Sequence, residues 1–132
     1  MNALPATSST QAIHYPCSAL RLRPDVPGAR FWAVGLERTL LSYFEVQPNT
    51  HFPRHAHPGE QITHVLEGEL TFTFDSQRVV LVAAGEAIAI PAGLPHAVHS
   101  LERGARAVDA WSPLPTTYTP PTPEQPSEGV RP

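Results

Sequence analysis

The chain has 132 residues, 41% of them apolar, and a formal net charge of -3, enough for one domain around one core. So mild a charge speaks against a polyanionic partner such as nucleic acid, and no run of about 18 apolar residues is present to span a membrane. Sixteen prolines and a charged fraction of only 16% argue against long helices. Residues 1–18 mix Ser, Thr, Pro and Ala without a clear period and are predicted as a tail or arm. They lack a basic stretch followed by an apolar one, so the expected location is the cytoplasm. Cys17 is the only cysteine, which rules out an internal disulfide and a multi-cysteine zinc site, and no catalytic setting surrounds it. The chain has no lysine, which excludes Schiff-base chemistry.

Short β-like runs follow in order. They are Arg30 to Val34, Thr39 to Val46, Arg54 to His57, Gln61 to Glu67 and, after a break at Gly68, Glu69 to Phe74. Asp75-Ser76 reads as a tight turn. Arg78 to Ala83, Glu86 to Ile90, Pro95 to Leu101 and Ala105 to Trp111 complete the set. Strands of this length, punctuated by Gly, Pro and Asp, predict an all-β sandwich or barrel over residues 19–112. Alternation sets Leu40, Ser42, Phe44 and Val46 on one face, and Leu70, Phe72 and Phe74 on one face of a later strand. From Pro113 to Pro132 prolines recur at 113, 115, 120, 121, 123, 126 and 132, the composition of an extended tail. Tyr118 is the last residue expected to dock.

The main chemical resource is the seven histidines, which cluster. His55 and His57 are two apart, so in a strand they project from one face, roughly 6–7 Å apart. Two imidazoles can then converge on one ion. Pro58-Gly59 permits a turn that returns Gln61, whose amide oxygen is a neutral ligand. A second stretch, residues 91–100, builds a turn from Pro91, Gly93 and Pro95 and opens a strand with His96.

The pattern His55-x-His57-x3-Gln61-x6-Gly68 resembles the first motif of the cupin family. Gly85-x5-Pro91-x-Gly93-x2-His96 resembles the second, with 16 residues between Gly68 and Gly85. The resemblance implies a single-domain jelly-roll β-barrel holding one divalent metal ion on His55, His57, Gln61 and His96. It departs where Gln61 stands in place of the usual Glu, and Ser100 in place of a frequent Asn. Three imidazoles and an amide leave the ion's double charge uncompensated, making it a stronger Lewis acid and anion receptor. Fe, Mn, Ni, Zn, Co and Cu all suit N/O ligation with open positions.

Among the other groups, His51 is a candidate for the barrel mouth, while His64 and His99 have the parity of the opposite face. Glu60 is a substitute ligand if the turn is irregular. Asp109 is a lone carboxylate in an apolar strand, and burying it is costly unless it is paired or protonated. It either pairs with an arginine such as Arg54 or Arg106, or faces the metal cavity as a general acid/base. Asp109-x-Trp111-Ser112-Pro113-x4-Tyr118 resembles the last strand of a cupin branch that includes pectin-degradation proteins, which ketonise unsaturated uronates. That resemblance implies a catalytic Asp109 with Trp111 and Tyr118 as substrate-binding residues, although Pro115 stands where that branch has an arginine. Three functions are therefore expected candidates. The first is a metal-dependent lyase, isomerase or tautomerase on a small organic or sugar acid. The second is an Fe(II) oxygenase, and the third a non-catalytic binding or sensing barrel. The expected partners are a small-molecule ligand and a second copy of the chain.

Overall fold

The computed structural model describes residues 10–113, 115 and 118. The expected N-terminal arm lies outside them over residues 1–9, as does the Pro-rich tail except at Pro113, Pro115 and Tyr118. The strands are β1 (Arg23–Pro24), β2 (Ala29–Gly35), β3 (Leu40–Val46), β4 (His51–His55), β5 (Glu60–Phe74), β6 (Val79–Ala83), β7 (Ala87–Ile90), β8 (His96–His99) and β9 (Ala105–Ser112). The described residues hold no α-helix, only 3-10 turns at Cys17–Ala19 and Asp75–Gln77. Among the described residues no helix is long and apolar enough to cross a membrane.

Two antiparallel sheets curl around one core. The first runs β1-β2-β3-β9-β5-β7 and the second runs β6-β5-β8-β4, with β5 common to both. Alternation builds the core as expected. Leu40, Ser42, Phe44 and Val46 of β3 point inward, joined by Phe31 and Ala33 from β2. Val65, Leu70 and Phe72 come from β5, and Ala105, Ala107 and Trp111 from β9. On the outer face of the first sheet, Arg30 pairs with Glu45 at 2.9 Å and Arg106 with Glu67 at 3.2 Å.

One expectation is corrected. The strand predicted to stop at Gly68 runs straight through it as a single 15-residue β5. Gly68 has φ of +72°, and the β5–β9 register shifts between Val65 and Glu67. A bulge with a left-handed glycine bends a strand without ending it, and a Cβ at Gly68 would strike the Gly104 carbonyl. Beyond the bend the strand leaves β9 and β7 for β6 and β8. The bend therefore closes the two sheets over the site.

Candidate metal centre

Two chain segments meet at one point. In the β4–β8 ladder His55 lies opposite His96, with ring centroids 4.5 Å apart. His57 does not share a strand with His55 as expected, because β4 ends at His55. It sits instead in the connection before Pro58, a residue with no N–H for a ladder. The Gly93 N–H donates to the His57 carbonyl at 2.8 Å and ties this connection to the second motif. There Leu94 N–H donates back to Pro91 at 3.3 Å with Gly93 at φ +76°, a type II turn that aims the following His96. The candidate ligand nitrogens of His55, His57 and His96 all lie within 4.8 Å of one another.

Each imidazole is oriented through its other nitrogen. The Nδ1–H groups of His55, His57 and His96 donate to the carbonyls of Pro53 (2.8 Å), Gly59 (3.0 Å) and Leu94 (2.8 Å). A carbonyl only accepts, so Nδ1 carries the proton and Nε2 offers a lone pair. His96 is completely buried and its Nε2 has no hydrogen-bond partner. Burial holds its ring below the usual imidazole range. The bond to Leu94 opposes this, and the neighbouring His55 and His57 rings add to it. The neutral, ligating form is thereby favoured.

Gln61 opens β5 and is buried. Its Oε1 lies 3.0 Å from His57 Nε2, and its amide Nε2–H donates to Thr63 Oγ1 at 2.9 Å. With the His57 proton on Nδ1, two lone pairs face each other across that 3.0 Å. A cation between them turns this conflict into ligation, since two ligands each about 2.1 Å from an ion at right angles sit about 3 Å apart. The four donors thus fit a divalent cation, on the strength of the orphaned His96 nitrogen and this pair of acceptors.

Asp109 projects from β9 into the same interior and is buried. The ion pair weighed as its alternative does not form. Arg54 pairs with Asp75, and Arg106 with Glu67. The Thr63 hydroxyl bonds its carboxyl, while Oδ1 has no partner. Burial pushes its pKa up to about 7, the Thr63 bond acting in the other direction. Trp111 is buried. Its Nε1–H donates to Ser42 Oγ at 2.8 Å and its ring meets His57 edge-on at 5.1 Å. Tyr118 packs on Phe31, Phe44 and Trp111, and its hydroxyl donates to Asp25 at 2.9 Å.

An inner cavity of about 50 Å³ is lined by His55, Gln61, Thr63, His96, Asp109 and Trp111 among others. A vestibule of about 420 Å³ adjoins it through Phe52, His55, Trp111 and Tyr118. A larger surface groove, about 1060 Å³, lies elsewhere along β2, β3 and β9 and contains no histidine.

The sequence profile of the cupin domain matches residues 42–110, just over half of the chain. The chain is a cupin. It is 42% identical over 84 residues to the HTH-type transcriptional regulator PuuR of Escherichia coli, covering 61% of this chain and 44% of that protein. It is 30% identical over 74 residues to the dimethylsulfoniopropionate lyase DddQ of Ruegeria pomeroyi, covering 55% of this chain and 37% of that protein. This cupin thus spans less than half the length of these curated relatives. Among solved structures, KdgF from Halomonas sp. superposes with a TM-score of 0.69 at 17% identity, covering 76% of this chain and 94% of that one. At that identity the likeness concerns the fold.

The remaining candidates fall outside the candidate metal centre. His51 stacks on His99 at 5.5 Å on the outer face of β4 and β8, not at the mouth. His64 is also on an outer face, where its Nδ1 bonds the Glu86 carbonyl at 3.2 Å. Glu60 is exposed beside Gln61, with the opposite parity. Cys17 is exposed in its 3-10 turn. Sequence reasoning missed Thr63 and Ser42. Both were open to discovery, since Thr63 shares a strand face with Gln61 and Ser42 is the one hydroxyl on an otherwise apolar face of β3.

Proposed function

We propose that this cupin binds one divalent metal ion on His55, His57, Gln61 and His96. With Asp109 it would carry out lyase, isomerase or tautomerase chemistry on a small oxygenated acid. The observation that carries this reading is the position of Asp109. It is a buried carboxyl with a free oxygen and a pKa near 7, in a cavity also lined by His55 and His96, two of the three converging imidazoles. The bound ion supplies Lewis acidity to a substrate carboxylate, carbonyl or hydroxyl, making an adjacent C–H more acidic. Asp109 Oδ1 takes or returns that proton, and a pKa close to the working pH suits both directions. Trp111 holds the His57 ring in place, and Tyr118 and Phe52 at the vestibule exclude water from the inner cavity. Similarity to a lyase supports the reaction class.

Asp109→Asn should retain metal and lose turnover on a panel of hydroxy, keto and unsaturated uronic acids. Turnover equal to that of the unaltered protein would remove Asp109 from the mechanism.

A second reading has its own support, because the 42% identity is to a transcriptional regulator. In that reading the same cavity holds a ligand and no bond changes. Recovering a tightly bound acid unaltered after long incubation with the metal-loaded protein favours sensing over catalysis. We place the homodimer contact on the outer face of the first sheet, where Leu41, Ala110 and Ile62 lie side by side in register. Leu41 and Ile62 are exposed there. Ile62→Glu should halve the mass measured by light scattering, and an unchanged mass rejects that face.

A further inference from the structure

The reading of Gln61 as a ligand raises a question that a carboxylate would not. An amide has two ends of nearly equal shape, and only the oxygen can ligate. Sterics do not choose between them, so hydrogen bonding must. We propose that Thr63 is the positioning residue that turns the Gln61 amide oxygen toward the metal centre.

The polarity of one short chain of bonds forces the choice. Thr63 is buried in β5 and lies directly across the ladder from Asp109 in β9. At pH 8 the Asp109 carboxyl is ionised and can only accept, so the single hydroxyl proton of Thr63 goes to Asp109. The Thr63 oxygen then has only lone pairs left for its other neighbour. That neighbour is Gln61, 2.9 Å away, and only its NH2 end can donate. Oε1 is left facing His57 Nε2 at 3.0 Å, on the ligand side. In the reversed amide, Oε1 would meet the Thr63 oxygen with no proton between them, and the NH2 group would point at a cation. Asp109, Thr63 and Gln61 thus transmit one hydrogen-bond direction from the acid/base group to the metal. The side chains that orient a metal's ligands commonly matter for affinity on this scale.

The test rests on the metal reading but is scored without substrate. Zinc(II) is titrated by calorimetry at pH 8 into metal-free protein carrying Thr63→Val, which keeps the shape and removes the hydroxyl. The dissociation constant should rise by about 10–100-fold, while Thr63→Ser stays close to the unaltered protein. In a Gln61→Glu background both ends of the ligand are oxygen, so Thr63→Val should change the affinity little. Thr63→Ala serves the same comparison if valine at this site prevents folding, as judged by circular dichroism. Unchanged affinity in Thr63→Val, or an equal loss in both backgrounds, overturns the inference and leaves the metal site standing. Failure of the unaltered protein to bind zinc(II) removes the metal site and this inference with it.

Discussion

Asp109→Asn should make the metal-free protein more stable at pH 8, and the size of the gain follows from the burial of one carboxyl. In the folded chain its pKa is about 7, against 3.8 for the free side chain. Between those values the folded protein keeps a proton that the unfolded chain has released. Stability therefore falls as pH rises from about 4 to about 7 and is level above that. The difference between about 7 and 3.8 corresponds to about 4 kcal/mol at most. Asparagine keeps the shape and an acceptor for Thr63, and has no charge to bury. At pH 8 the variant should thus gain up to about 4 kcal/mol, a rise in melting midpoint on the order of 10 °C for a domain of this size. At pH 4 the two proteins should converge. His96 acts in the opposite direction in both. Its lowered pKa costs stability as pH falls below the ordinary imidazole value, so the difference between the two proteins isolates Asp109. Urea unfolding of EDTA-treated protein from pH 4 to pH 8 measures this. Parallel curves, or a variant less stable at pH 8, would refute the account of a carboxyl buried without a charged partner.

Zinc(II) at a hundredfold excess over its dissociation constant should stabilise the unaltered protein by about 2.7 kcal/mol. His96→Ala should abolish that increment, as read by differential scanning fluorimetry with and without EDTA. Trp111→Phe strands the buried Ser42 hydroxyl and should cost about 1–3 kcal/mol in chemical denaturation. Gly68→Ala puts a Cβ against the Gly104 carbonyl at a positive φ and should cost more than about 1 kcal/mol on the same assay. Zinc(II) affinity should also weaken as pH falls, because protons compete with the ion for the ligand nitrogens, measured by the same calorimetric titration at stepped pH.

Most of the fold was legible because alternation is a strong signal in strands with one buried face. That Leu40, Ser42, Phe44 and Val46 share one face of β3 was read from its sequence, and so were the outer faces of His64 and His99. Gly68 misled for a definite reason. A glycine in a strand marks either an end or a bend, and the choice depends on what the second half of the strand can pair with, which sequence spacing does not reveal. That His55, His57 and His96 come together was legible as two motifs, yet the expected same-face pairing of His55 and His57 was not how they are assembled. His57 is held by the Gly93 bond and by its own contact with Gly59, both outside any strand. For Asp109 the sequence left two environments open. The arginines were drawn off by Asp75 and Glu67, partners on the exposed surface that a linear reading has no means of ranking. For Trp111 the sequence did not reveal that Ser42, the one hydroxyl on that face of β3, accepts from its buried N–H.

The continuous β5 also predicts where this chain tolerates length changes. Gln61 sits near its start, and Phe74 at its end pairs with His96, so one strand measures out the distance between both halves of the site. A residue inserted between 61 and 74 would put Gln61 and the β8 pairing out of phase, exchanging an inward side chain for an outward one. The loops at residues 36–39 and 101–104 lie off that ruler. Insertions there should leave the ligand geometry intact, which makes them the natural points for attaching another domain or a label.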